Sequence, residues 1–505
     1  MSTLFDRRSS GILLHPTCLP GPHGVGDLGS AAYRFADYLK RAGQSWWQML
    51  PVGPPGAGNS PYDSPSSFAG SALLVSLELL VEDGLLRADE VTPPAALGAT
   101  DHADHAGARA FKAPLLRLAA ERMRQGDFAK LREELEAFQA SHSDWLPDYV
   151  LFRALKEAHG QKPWFEWPAE LRLRDREALA RARRELKTEI DVHVFVQFAF
   201  ARQWERLRQY CRGAGISLLG DLPIYVAYDG ADVWAHPDLF FLDEHGRRTV
   251  VAGVPPDAFS STGQLWGNPL YRWDVMQERD FAWWVDRFAH TLERFDAVRI
   301  DHFIGLRRYW EVPADHETAL HGSFRHAPGE QLLERLRTRL GSLPFIAEDL
   351  GLVTDEVHAL RNHFELPGMK VLQFAFSDPS GSDYLPHRYE RRAVVYSGTH
   401  DNDTTVGWFQ KLGSADDERR RLLLYVGGDG TAIHWDVIRA ALFSVANTAL
   451  FPLQDLLGLG SASRMNVPGT SEGNWRWRLA PELLTDENAE KMFALCRLSD
   501  RTPRF

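Results

Sequence analysis

Short apolar runs bounded by turn residues recur along this chain, and between them lie longer stretches whose apolar positions fall three and four apart. The short runs are GILLHP (Gly11–Pro16), WWQMLPV (Trp46–Val52), ISLLGDLP (Ile216–Pro223), AVRIDH (Ala297–His302), FIAEDL (Phe345–Leu350), MKVLQFAF (Met369–Phe376), AVVYSGTH (Ala393–His400) and ALFPLQD (Ala449–Asp455). Runs this apolar suit parallel strands covered on both faces. The intervening stretches, such as those beginning at Ala31, Phe281 and Gly329, have helical spacing. Strand and helix alternating in this way predict an α/β protein, a closed (β/α)8 TIM barrel rather than an open sheet.

Two connections are too long for simple crossovers. Residues 77–207 are rich in Ala, Arg, Glu and Leu with helical periodicity and are expected to form a helical insertion. Residues 227–275 are rich in Pro, Gly and aromatics and are expected to form a loop-rich insertion over the barrel mouth. Residues 1–505 are otherwise read as a single catalytic barrel.

The pattern carries an anomaly at its strand ends. Asp301, Glu348 and Asp401 each follow an apolar run, where a carboxyl is poorly explained by packing. The C-terminal rim of a barrel is where catalytic side chains are mounted, so the three acids point to an enzyme. Asp221, in GDLPIY, supplies a fourth acid, for which capping of the turn before Pro223 is an equal account.

Composition narrows the class further. Of the 505 residues, 44% are hydrophobic and 25% are charged. That balance is expected of a globular chain with a large core. A net charge of -11 and no basic stripe argue against a nucleic-acid partner. Cys18, Cys211 and Cys496 are too scattered for a disulfide framework or a zinc site, which implies a reducing compartment. No apolar run is long enough for a signal peptide or membrane span, so a cytoplasmic protein without a membrane partner is expected. Trp266, Trp475 and Trp477 lie in polar contexts where their rings offer sugar-stacking faces, although core filling accounts for such residues equally well.

Two other motifs lead elsewhere. Gly24, Gly26 and Gly29 fit GxGxxG, but a Pro-rich turn separates them from the preceding strand, whereas a dinucleotide site needs an immediate strand-to-helix turn. His302 beside Asp301, with THDNDT at Thr399–Thr404, suggests a metal cluster, yet adjacent strand residues point to opposite faces.

Paired carboxylates fit better. A retaining glycosidase uses one carboxylate as nucleophile and a protonated partner about 5 to 5.5 Å away as acid. Asp301 and Glu348 end consecutive predicted strands, and neighbouring strands lie about 4.7 to 4.9 Å apart in a sheet. Arg299, two residues before Asp301, shares its face and is expected to hold it ionised. Asp349 and the apolar approach through Ile346 and Ala347 are expected to raise the Glu348 pKa. Asp401 would then stabilise positive charge on the sugar or hold its hydroxyls. These residues alone leave a glucan hydrolase, a transferase and a silent glucan-binding protein open, although a pure binder has no need of a nucleophile and an acid.

The motifs HPTCLPGPHGVGDLG, WWQMLPVGPPGAGNSPYDS, GDLPIYVAYDGADVWAHPDLF, VVAGVPPDAFSSTGQLWGNPLYRW, FDAVRIDHFIGLRRYWEVP, AEDLGLVT, LPGMKVLQFAF, YSGTHDND and PLQDLLGLGSASRMNVPG span nearly the whole chain. In these the chain resembles the amylomaltases, the 4-α-glucanotransferases or disproportionating enzymes of glycoside hydrolase family 77, relatives of the α-amylases. The resemblance implies a (β/α)8 barrel with insertions, needing no cofactor or metal. It implies transfer from an α-1,4-glucan donor to a maltooligosaccharide or glucose acceptor. Asp301 matches the nucleophile, Glu348 the general acid/base and Asp401 the transition-state stabiliser. Arg299, Asp221, His400 and Tyr62 match residues around the sugar at the scission point. Ser60, Asp257, Phe259, Gln264, Trp266, Asn268 and Asn466 match residues along the flanking subsites. Without the extra N-terminal domain that some relatives carry, a compact monomer is expected. The chain departs from the family pattern at Ala258, beside Phe259 in the mouth loop, at Ser71 and Ala72, and at His321–Gly329, where an altered grip on donor or acceptor is expected.

Overall fold

The computed structural model describes residues 4–98, 102–256, 260–378 and 381–503. In chain order the strands are β1 (Ser9–Leu13), β2 (Trp46–Gln48), β3 (Ser217–Leu222), β4 (Val250–Val254), β5 (Gln264–Pro269), β6 (Ala297–Ile300), β7 (Arg308–Pro313), β8 (Ser323–His326), β9 (Phe345–Ala347), β10 (Gly368–Val371), β11 (Ala393–Tyr396) and β12 (Thr448–Pro452). β1, β2, β3, β6, β9, β10, β11 and β12 pair in parallel and close into a barrel. Each lies within or beside one of the eight predicted runs, so the barrel follows the hydropathy pattern. The strands are shorter than the runs: β2 stops at Gln48, and the apolar residues beyond it belong to the loop leaving the rim.

Side chains alternate between two faces along a strand, and this sorts the barrel interior. Trp46, Leu219, Ala297, Ile346, Met369, Val394, Tyr396 and Leu450 form one buried cluster, closed at the bottom by Phe5 stacked on Trp46 at 5.5 Å. Two residues on from Leu219, Ala297 and Ile346 come Asp221, Arg299 and Glu348. The inward face is therefore apolar below and ionisable above.

Gly11 of β1 has no side chain to add to this column, because a Cβ there would sit 2.4 Å from Trp46 Cβ and 2.9 Å from Leu450 Cδ2. Gly11→Ala is expected to cost about 1–3 kcal/mol by overpacking, read as a lower midpoint in denaturant unfolding.

Helices occupy the chain between β2 and β3, ending in Lys187–Gly213, which runs straight into β3. That helix also props the long loop after β2. Gln197 exchanges two hydrogen bonds with the Gly70 backbone, and Gln203 does the same with Ser76. Ser71, at one departure from the family pattern, caps the turn Ala72–Leu74 by accepting from Leu73 N–H.

The segment read as loop-rich contains β4 and β5. They join β7 and β8 in an antiparallel sheet of order β5-β4-β7-β8. The chain after β3 and the chain after β6 thus build one sheet. The stretch His321–Gly329 contributes β8, not only a loop. Gly24–Gly29 forms a rim loop before the helix Ser30–Arg41, as expected once a dinucleotide turn is rejected. Among the described residues, no helix is long and apolar enough to cross a membrane.

Candidate active site

The alternation that fills the barrel carries four charged groups to its rim. Asp221 on β3 and Arg299 on β6 are direct partners in the ladder, and Arg299 Nη1 donates to Asp221 Oδ1 at 3.1 Å. Asp301 prolongs β6, its N–H bonded to the Leu222 carbonyl. Its Oδ1 accepts from both Arg299 Nη1 and Nη2, at 2.7 and 2.8 Å. Glu348 prolongs β9 in the same way, its N–H bonded to the Ile300 carbonyl at 3.1 Å. Continuing the ladder of Ile300 with Ala347 sets Asp301 beside Glu348.

Backbone amides aim the Glu348 carboxyl. Oε2 accepts from His302 N–H at 2.6 Å and Oε1 from Leu350 N–H at 3.1 Å. His302 holds a left-handed conformation, with φ 50 and ψ 51. Few non-glycine residues adopt it. The bend turns its amide toward Glu348, and strain of this kind gathers at functional sites.

Charge separates the two carboxyls. Burial pushes Glu348 up to about 8, opposed by Arg299 and helped by the Asp301 charge. Asp349 contributes otherwise than expected: its carboxylate is turned away, onto Arg361 Nη1 at 2.6 Å and the Met369 N–H at 2.8 Å. Burial also pushes Asp301 above the ordinary aspartate value, against Arg299, with Asp401 adding to the rise. Arg299 opposes that rise from the face expected of it. What distinguishes the pair is contact. Asp301 has a guanidinium on one oxygen, whereas Glu348 has only amides, so the anion belongs on Asp301 and the proton on Glu348. Arg299 itself is buried yet held charged by Asp221 and Asp301.

A second arc of side chains closes the rim. Tyr62, on the loop after β2, donates to Asp221 Oδ2 at 2.7 Å and stacks on His400 with ring centroids 5.0 Å apart. Burial and Asp221 hold its phenol well above the usual range, so it stays a donor. Burial lowers the His400 pKa and favours a neutral ring. His400 Nε2 lies 3.3 Å from Asp401 Oδ2, and Asp401 Oδ1 accepts from Asn466 Nδ2 at 2.6 Å. Arg464 donates to the Asp401 carbonyl. Ser60 Oγ accepts from the Tyr62 N–H at 3.3 Å, so its tie to the site runs through that loop.

On β5, Gln264, Trp266 and Asn268 alternate onto one face. Trp266, 38% exposed, donates to Gln264 Oε1 and meets the His302 ring edge-on at 4.8 Å. Asn268 donates to the Val226 carbonyl. Asp257, Ala258 and Phe259 lie outside the described residues. Trp475 and Trp477 are 7% and 8% exposed, and Trp475 packs against Tyr62 and His400. Trp475 backs the site, and neither ring offers an open sugar face. His302, weighed from the sequence only as a metal ligand, and Arg464, not singled out there, join the site through backbone atoms, the His302 N–H on Glu348 and the Asp401 carbonyl on Arg464. Among the described residues, the His and carboxylate groups close enough to share a metal ion are His142 with His290 and Glu293, and His23 with Asp27 and Glu78, all outside this cluster.

An ionised aspartate beside a protonated glutamate at the rim of a parallel barrel defines an enzyme of the carboxylate-paired glycosidase type. The 4-alpha-glucanotransferase family model matches residues 14–485. A 4-alpha-glucanotransferase of Thermus thermophilus is 46% identical over 98% of this chain and 99% of its own. One from a Synechocystis species is 48% identical over 96% of each. The structure of an amylomaltase from Streptococcus agalactiae in complex with acarbose superposes with a TM-score of 0.94, at 37% identity, covering 98% of this chain and 100% of that one. The chain belongs to the 4-alpha-glucanotransferase family.

Proposed function

We propose that this enzyme moves α-1,4-glucan segments between maltooligosaccharides or starch-type glucans by double displacement, with Asp301 as nucleophile. Arg299 occupies Oδ1 of Asp301, which leaves Oδ2 to attack the anomeric carbon. Glu348 gives its proton to the departing glycosidic oxygen, and a β-linked glucosyl ester remains on Asp301. Glu348, now a base, takes the proton of the acceptor hydroxyl, which displaces Asp301 and restores the α linkage. The observation that carries the reading is the placing of Asp301 and Glu348 at the ends of adjacent strands with a cation on only one of them.

The rim supplies the rest. Asp401, fixed by Asn466, faces the charge that develops on the sugar ring. Asp221, Tyr62 and His400 hold hydroxyls of the scissile glucosyl unit. Ser60, Gln264, Trp266 and Asn268, with Asp257 and Phe259, line the flanking subsites. The ring of Trp266 stacks on a glucosyl face and keeps water from the ester. The donor is an α-1,4-glucan, the acceptor a maltooligosaccharide or glucose, and the reaction needs no cofactor or metal. The same reading takes residues 1–505 as one catalytic barrel, with 77–207 as a helical insertion and 227–275 as the insertion over the mouth. It acts as a monomer in the cytoplasm.

Maltotriose tests this. Glucose and longer oligosaccharides are expected with the total of reducing ends unchanged. A rise in reducing ends at the same pace would make the protein a hydrolase, and unchanged maltotriose would refute both.

A further inference from the structure

The helix Ala282–Arg294 packs outside the barrel immediately before β6, and carries His290 and Glu293 three residues apart, hence on one face. His142 follows the helix Ala129–Ser141, in the helical region between β2 and β3. One ligand-capable atom from each of His142, His290 and Glu293 lies within 4.8 Å of the other two. The proposed reaction uses none of them.

Their hydrogen bonds show which atoms are open. His290 Nε2 is 2.8 Å from the Phe68 carbonyl. A carbonyl can only accept, so Nε2 carries the hydrogen and Nδ1 the lone pair. That Nδ1 lies 3.4 Å from Glu293 Oε2. His142 Nδ1 is 2.8 Å from the Phe138 carbonyl. By the same logic Nε2 is left as its ligating nitrogen. Each imidazole thus donates one N–H to a backbone carbonyl, the support that metal-binding histidines receive. Two imidazole lone pairs and a carboxylate repel one another unless a cation or proton joins them. The other gathered group differs: beside His23 and Glu78, Asp27 already has the Lys112 ammonium at 2.8 Å.

We propose that His142, His290 and Glu293 bind one zinc ion, with solvent as the fourth ligand, clipping the helical region to the barrel wall. Two imidazoles and a carboxylate in a tetrahedral array are a donor set suited to zinc. The clip joins segments far apart in sequence, so its effect is on stability. Because His290 also holds the Phe68 carbonyl, the ion steadies the loop that carries Ser60 and Tyr62 as well.

The test uses the full-length protein, stripped with chelator and titrated with Zn2+, with Co2+ as the optical probe of geometry. One equivalent is expected to bind, to raise the thermal midpoint, and to give Co2+ a tetrahedral visible spectrum. The Glu293 side chain is 66% exposed, so it can be changed without disturbing the core. Glu293→Gln and His142→Ala are each expected to weaken uptake by roughly 100-fold or more, since losing even an outer partner costs about 10–100-fold. Glu293→Gln is expected to keep transfer activity and metal-free stability, whereas His142→Ala also loses the packing of its ring on Phe138 and Trp145 and is read by metal uptake alone. Absence of stoichiometric uptake would leave His290 and Glu293 as a plain ion pair and overturn the proposal. So would uptake that survives both substitutions, which would place the ion at another site, such as His23, Asp27 and Glu78.

Discussion

Asp301→Asn is expected to lower kcat/KM for glucan transfer by about 10^4-fold or more, an effect of the size seen when an enzyme loses its nucleophile. Asparagine keeps the shape and can still accept from Arg299 through its amide oxygen, so the rim geometry survives. It lacks the anionic oxygen that must bond to the anomeric carbon. The thermal midpoint is expected to stay near that of the unaltered enzyme, because Arg299 retains Asp221 at 3.1 Å as its counter-ion. A nucleophile can also be told from a merely structural carboxylate. In Asp301→Ala, azide supplied with an α-glucosyl fluoride is expected to enter the vacated space and displace fluoride in a single step, giving the β-glucosyl azide. Retained transfer in Asp301→Asn, or an α-configured azide, would remove Asp301 from that role.

Much of this site was legible because a strand has a period of two. Once β3, β6 and β9 are located by their apolar runs, Asp221, Arg299, Asp301 and Glu348 fall on the inward face by counting alone. The Asp301–Glu348 pairing then follows from parallel register. Contacts that cross between distant loops were legible only through family resemblance. Tyr62 on Asp221 and Asn466 on Asp401 join segments with no common periodicity. The sheet over the rim was read as loop for a physical reason. β5 mixes Gln264 and Asn268 with Gly267 and Pro269, and all four residues of β8 are exposed, so both lack the apolar alternation by which a half-buried strand is known. The sequence leaves Trp475 open between a sugar face and core filling because its neighbours in sequence are polar while its neighbours in space are Tyr62 and His400. The rise at Asp301 is not legible in the sequence for a related reason. Arg299 was visible two residues away, but the burial that outweighs it comes from the whole rim.

Glu348 sets the second large effect, in rate and in stability with opposite signs. With its pKa raised to about 8, it is protonated at neutral pH, the state the first step requires. The formation of the glucosyl ester is therefore expected to fall as pH rises through about 8, following a single deprotonation. Glu348→Gln is expected to lose about 10^2 to 10^4 in rate and with it that alkaline limb. A maltosyl fluoride donor, whose leaving group needs no proton, is expected to recover the first step and let the ester accumulate, since the second step still lacks its base. Stability moves the other way. The folded pKa lies above the unfolded value, so the native state binds more protons between about 4.5 and about 8, and stability present below that window is lost as pH rises through it. Glutamine carries no such penalty but turns an NH2 toward one of the two backbone amides, a cost that does not change with pH, so the midpoint of Glu348→Gln is expected to rise relative to that of the unaltered enzyme between pH 4.5 and pH 8. A difference in midpoint that stays constant between pH 4.5 and pH 8 would mean that Glu348 keeps its charge in the folded protein without cost, and its assignment as the proton donor would fall with it.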